Sequence, residues 1–115
     1  YSDDHFGSGR DYAKLFESIY NYDPPYQAAE SSAALLVWKD AFERAGTTDK
    51  EKVRDAIAET DMMTFYGPVK FNAQGQNTSK PMVLFQVQDG KNNVVAPTKW
   101  AEAKLIYPTP KWSER

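Results

Sequence analysis

Apolar residues at Tyr12, Leu15, Phe16, Ile19 and Tyr20 recur with the i, i+3, i+4, i+7, i+8 spacing of an amphipathic helix, and Asp11, Lys14, Glu17 and Ser18 fall on the other face. This pattern predicts a helix over about 10–21, with Ser8 as its N-cap and residues 1–9 as an irregular lead-in broken by Gly7 and Gly9. Asp23-Pro24-Pro25 ends the helix, because proline lacks a donor and pushes the preceding residue out of α geometry. A second helix is predicted over 27–45, with Gly46 at C′. Its first half is rich in small residues (Ala28, Ala29, Ser31–Ala34) and its second half carries Leu35, Leu36, Trp38, Ala41 and Phe42. This wide apolar arc marks it as the most buried helix. Thr48 with Glu51 matches a capping box and opens a third helix over 49–59, whose thin stripe is Val53, Ala56 and Ile57.

After Asp61 the period changes. An extended segment is predicted over about 65–71, interrupted by Gly67-Pro68, and followed by a polar loop from Asn72 to Asn77. Residues 82–88 alternate as a strand, Asp89-Gly90 signals a hairpin, and 93–96 supplies the return strand. The segment 99–106 fits either a short helix or a strand, and Tyr107-Pro108-Thr109-Pro110 fits neither. Three helices followed by antiparallel strands leave apolar faces without enough sheet to cover them. The expectation is therefore a piece of a longer polypeptide.

Composition narrows the chemistry. The 115 residues include 16 acidic and 14 basic side chains, a net charge of −2 that disfavours nucleic acid as a partner. Cysteine is absent, which removes disulfides, thiol nucleophiles and thiolate zinc sites. The longest apolar run, Ala33–Trp38, falls far short of the ~20 residues a membrane span needs. His5 is the only histidine, beside Asp3 and Asp4 near the start of the chain, where a solvated cluster is expected rather than a metal or a catalytic base. Glu51 with Asp55, and Asp40 with Glu43, read as solvated charges rather than paired catalytic carboxylates.

An ordered series of residues resembles a known family. It runs from Phe6-Gly7-Ser8-Gly9, Asp11-Tyr12 and Phe16 through Tyr22–Pro25, Ala28–Ala33 and Ala45-Gly46. It continues with Asp49–Ala56, Gly67–Phe71, Gly75, Gln86, Asp89-Gly90, Val95–Pro97 and Tyr107–Trp112. The whole chain resembles the C-terminal portion of a type I periplasmic solute-binding protein, of the branched-chain-amino-acid type that serves ABC importers.

The resemblance implies an α/β chain, a fragment of a two-lobe fold that closes on its ligand by a hinge. Residues 1–83 would belong to the first lobe, and 84–115 would supply a hinge-crossing strand, a hairpin and the tail of the second lobe. It further implies a periplasmic or membrane-tethered extracytoplasmic protein, whose parent carries a signal peptide. That protein would bind a small-molecule solute (an amino acid, an amide or a small aromatic acid) and deliver it to an ABC permease, with no enzymatic activity and no cofactor. The alternative is a ligand-sensing domain of a regulator or receptor built on the same fold.

The candidate ligand-binding residues are Tyr26, Gln27, Glu30 and Tyr66. In the resembled family the start of the second helix faces the cleft. Tyr26 would form an aromatic wall there, while Gln27 and Glu30 would make polar contacts, the Glu30 carboxylate receiving an ammonium or hydroxyl and being favoured by the helix dipole. Tyr66, in the Phe65-Tyr66-Gly67-Pro68 turn, would touch ligand or the facing lobe. Trp100, Tyr107 and Trp112 make the isolated piece prone to dimerise or domain-swap.

Overall fold

A computed structural model describes residues 1–114. The chain divides into two compact units, Tyr1–Lys80 and a second that begins at Pro81. The first contains β1 (Ser2–Asp3), β2 (Gly7–Ser8), α1 (Gly9–Tyr20), α2 (Tyr26–Ala45), α3 (Lys50–Ala58), β3 (Asp61–Thr64) and β4 (Gly67–Lys70). The second contains β5 (Leu84–Gln88) and β6 (Lys91–Ala96). The strands form three antiparallel pairs, β1–β2, β3–β4 and β5–β6.

Local chemistry explains each helix boundary. Ser8 caps α1, and Asp11 reciprocates to the Ser8 backbone, so a complete capping box fixes the start. Asn21, in left-handed geometry, ends the helix by donating its N–H to the Glu17 carbonyl. Gly46 plays the same part for α2, donating to the Phe42 carbonyl at 2.9 Å. The cap of α3 is Asp49, whose carboxylate accepts the Lys52 N–H at 3.1 Å. The expected Thr48–Glu51 box is not formed, because the carboxylate of Asp49 reaches its N3 donor first. Glu51 instead pairs with Arg54, as do Glu43 with Lys39 and Asp40 with Arg44.

The core of the first unit is Tyr12 of α1, Ala33 of α2 and Phe65, with Phe6, Phe16, Ala29, Leu36 and Tyr66 packed against them. Tyr12 and Phe65 stack with ring centroids 4.3 Å apart, and Phe6 meets both edge-on at 5.3 and 5.0 Å. The Tyr12 hydroxyl reaches Ser32 Oγ at 3.1 Å, so its polar end is satisfied as the ring is buried. Along α2 only Ala33, Val37 and Ala41 are buried, a narrow i, i+4, i+8 stripe. Leu35 is 70% exposed and Trp38 50%, so the wide arc expected of this helix overstates its burial. The small side chains are what admit the aromatic cluster and α3, which packs against α2 through buried Val53 and Ala56.

Two expected irregular or extended regions are hairpins instead. Residues 1–9 carry the β1–β2 pair, with Asp3 opposite Gly7. The single strand expected near 65–71 is a reversal: β3 begins at Asp61 and pairs with β4, with Thr64 opposite Gly67 and only Phe65-Tyr66 between them. Gly67 has φ +138°, a conformation that L side chains rarely adopt, so the chain turns where periodicity alone would continue it. Buried Thr64 closes the turn from its side chain, donating to the Gly67 carbonyl at 2.8 Å and accepting the Gly67 N–H.

In the second unit Asp89 and Gly90 both have positive φ, as a two-residue hairpin turn requires, and Gln88 faces Lys91. The ambiguous stretch 99–106 forms a short 3-10 turn, Thr98–Trp100, and then an irregular segment bound by glutamine side chains. Gln86 both donates to and accepts from the Ile106 backbone at 3.0 Å, and Gln88 donates to the Lys104 carbonyl at 2.8 Å. The covered residues of β5 are thus its glutamines, while Phe85 and Val87 are exposed.

The contact that closes the first unit is Asp3. Its carboxylate accepts backbone N–H groups from His5 at 2.9 Å, Phe6 at 2.7 Å and Phe65 at 2.6 Å. Burial of the carboxyl works toward a higher pKa, but these three donors together hold it below its ordinary value. In the full-length polypeptide, Asp3→Ala should cost about 2 kcal/mol by orphaning these donors. The expected readout is a lower denaturation midpoint at unchanged slope. Because the folded pKa is depressed, the stabilisation is complete above the ordinary value of 3.8 and is lost as pH falls through the folded value. Asp3→Asn should therefore flatten the acid limb of a stability–pH curve.

Candidate functional site

Helix α2 and the β3–β4 turn bring three of the expected site residues into one electrostatic neighbourhood. Tyr26 is the first residue of α2, after Pro25 at the N-cap, and Glu30 lies one turn on, on the same face. Tyr66 occupies the turn beside Phe65, half-buried where Phe65 is fully inside. The phenol of Tyr66 is shifted up from its ordinary value by burial first, then by the Glu30 carboxylate and by Tyr26. It therefore remains a neutral hydroxyl throughout the physiological range. Tyr26 and Glu30 are both exposed. Gln27 is exposed too, and no hydrogen bond of its side chain joins it to this group among the described residues. Glu30 stands in the second turn of α2, and the first turn holds no acid, so the expected support from the helix dipole is largely spent before it reaches this carboxylate.

Sequence reasoning did not find Lys80, which completes the group. Its ammonium lies 2.8 Å from the centroid of the Tyr66 ring, a cation–π contact of about 0.5–2 kcal/mol. Its stem lies over Gly67: a Cβ there would stand 3.1 Å from Lys80 Cδ and 3.4 Å from Cγ and Cε. Burial pushes the Lys80 ammonium down to about 8, against the opposing pull of Glu30. The Gly67-Pro68 pair does mark a tight turn in the sequence. Lys80, beyond the polar loop, carries no such mark, because only the folded turn places it over the ring.

The arrangement is an aromatic surface flanked by a cation and an anion. It offers stacking area from Tyr26 and Tyr66, a phenol, a carboxylate and an ammonium, which suits reversible recognition of a small polar organic molecule. A separate concavity lies between β1, α2 and β3, bordered by Asp3, His5, Leu36, Lys39, Asp40 and Met62. Among the described residues no group of three or more His, Asp or Glu is disposed to hold a metal ion. No described helix is long and apolar enough to cross a membrane.

Comparison with known proteins gives several matches, of which three examples follow. Residues 1–92 match the family described as "Periplasmic binding protein". The solved structure of the leucine-binding protein LivK from Thermotoga maritima superposes with a TM-score of 0.69 at 23% identity, over 83% of this chain and 27% of that one. The uncharacterized protein YOR389W of Saccharomyces cerevisiae is 28% identical over 91 residues, which is 79% of this chain and 13% of that protein. The chain thus spans roughly a quarter or less of the length of these relatives.

Two outcomes test the geometry. Lys80 should titrate near pH 8 in an NMR titration of 13C-methylated lysines, below the ordinary 10.5, and Glu30→Gln should lower its midpoint further by removing the carboxylate that supports the charge. Between that value and the ordinary 10.5 the unfolded chain binds the extra proton, so this group makes stability rise with pH across that window. Gly67→Ala should destabilise the protein by about 1–3 kcal/mol through backbone strain, seen in thermal denaturation, and should return the Lys80 midpoint toward that of a free lysine as its stem is displaced.

Proposed function

This chain belongs to the periplasmic binding protein family, and from that premise we propose that it is part of an extracytoplasmic receptor that captures a small organic solute and hands it to an ABC importer. The solute class is an amino acid, an amide or a small aromatic acid, held against Tyr26, Glu30 and Tyr66, with Gln27 on the adjoining edge of α2. The role is binding without catalysis. The observation that carries this reading is the convergence, within a family of binding proteins, of the α2 start and the β3–β4 turn on one aromatic and charged surface.

Exposed apolar faces support a longer receptor around this piece. Leu15 and Ile19 of α1 and Leu35 and Trp38 of α2 lie open to solvent, and apolar helix faces are ordinarily buried against a neighbouring layer. In the full receptor these faces would be covered by the rest of the lobe, with the strand from Leu84 crossing the hinge and residues from about 89 onward returning to the second lobe. Closure of the two lobes would then be favoured by ligand contacts that exist only in the closed state.

Calorimetry on the full-length polypeptide tests this reading. A panel of aliphatic and aromatic amino acids, their primary amides and small aromatic acids should contain at least one micromolar ligand. That ligand should raise the unfolding free energy by about 2.7 kcal/mol at a hundredfold excess over Kd. Glu30→Gln or Tyr66→Ala should weaken it by about tenfold or more. A full-length protein that is stabilised by no member of the panel overturns the assignment. A parent polypeptide with a fused transmembrane signalling segment would turn the reading from transport to sensing.

A further inference from the structure

Lys80 differs from the other cations that are fixed in place. Lys39, Arg44, Arg54 and Lys70 each end on a carboxylate of the same unit: Glu43, Asp40, Glu51 with Asp55, and Asp61. Lys80 makes no ion pair and no hydrogen bond among the described residues, yet it is not free to wander. A lysine ordinarily keeps about 2 kcal/mol of rotamer entropy on a flexible stem. Here the stem is seated on the bare backbone of Gly67, and the ammonium is held against one face of Tyr66. The ring receives the charge without consuming the N–H donors that point away from it. Glu30 on α2 acts on the charge of Lys80 but does not close an ion pair with it.

We propose that Lys80 is the anion-receiving residue of the site, selecting solutes that carry a carboxylate over the same solutes as neutral amides. This deepens the receptor reading and rests on it. A positioned, partly desolvated ammonium with unspent donors gains more from an anionic oxygen than from a neutral carbonyl, since charge-assisted hydrogen bonds are about twice as strong. Glu30 across the gap makes a second carboxylate on the solute unfavourable and an ammonium favourable, so the preferred class has one group of each sign. Gly67 is part of the device, because any side chain there would lift the lysine from its seat.

The groups that face Lys80 are Tyr66 from the β3–β4 turn and Glu30 from α2, while Tyr26 acts on Tyr66. A bound carboxylate restores to Lys80 the proton that burial makes it give up. Binding at pH 8 should therefore take up about half a proton per site, and binding at pH 6 almost none.

The test uses the full-length polypeptide, with L-leucine and L-phenylalanine as probes beside leucinamide and phenylalaninamide. Titrations are run at pH 6 and pH 8 in buffers of different ionisation enthalpy. Wild type should bind one of the acids at least about tenfold more tightly than its amide. Lys80→Met should lose that preference and the proton uptake, with a cooperative thermal denaturation like that of wild type showing that the variant is folded. Lys80→Arg should retain the preference. A Lys80→Met protein that binds the acid as tightly as wild type overturns the role of Lys80 and leaves the receptor reading intact. So does a wild type that binds acid and amide equally. A wild type whose only ligands in the wider panel are primary amides overturns this inference alone, one whose ligand is another acid of that panel supports it if the matching amide binds at least about tenfold more weakly, and one that binds nothing in that panel overturns both.

Discussion

Phe65 occupies the two-residue connection between β3 and β4, yet only 4% of its surface is exposed. A large apolar side chain at a hairpin tip is ordinarily in water. Here it is driven into the gap between α1 and α2, where it stacks on Tyr12 and meets Phe6 edge-on. Its backbone N–H would be stranded by that burial, and the Asp3 carboxylate takes it at 2.6 Å. One residue thus joins the start of the chain, two helices and a hairpin distant in sequence. The rest of the first unit is arranged around this anchor.

The candidate site follows from the same anchor. With Phe65 committed to the core and Thr64 and Gly67 closing the turn behind it, Tyr66 is set at the edge of the core, facing the start of α2. Gly67 is then needed twice, for a backbone conformation with φ +138° and for the close passage of the Lys80 stem. The ammonium, the ring and the Glu30 carboxylate form a set whose members perturb one another without neutralising one another. Structural ion pairs elsewhere in the unit close directly, as Lys39 does with Glu43. Unspent charge beside exposed aromatic surface is what a recognition surface retains and a structural network does not.

The second unit uses another economy. Its two strands are too few to bury both faces, and its last segment cannot enter the sheet because of the prolines near Tyr107. Gln86 and Gln88 stand in for the missing backbone ladder, binding the tail at Lys104 and Ile106 with side-chain amides. Polar residues therefore face the covered side, and Phe85 and Val87 are left exposed.

Local signals carried the helices, their caps at Ser8 and Gly46, the Asp89-Gly90 turn and the ordered series that marks the family, because each depends on neighbours within a few residues. They also placed Tyr26, Glu30 and Tyr66 on the elements that later met. What they did not hold was the pairing of β3 with β4 across the Phe65-Tyr66 turn, the exposure of Leu35 and Trp38, the Asp49 cap and the partnership of Lys80 with Tyr66. The physical reason is common to most of these. Hydrophobic periodicity reports how much apolar surface a segment has and how it is spaced, whereas which part of that surface is covered depends on residues remote in the chain. Only tertiary packing decided that Phe65 would be buried, and with it where Tyr66 and Lys80 would meet.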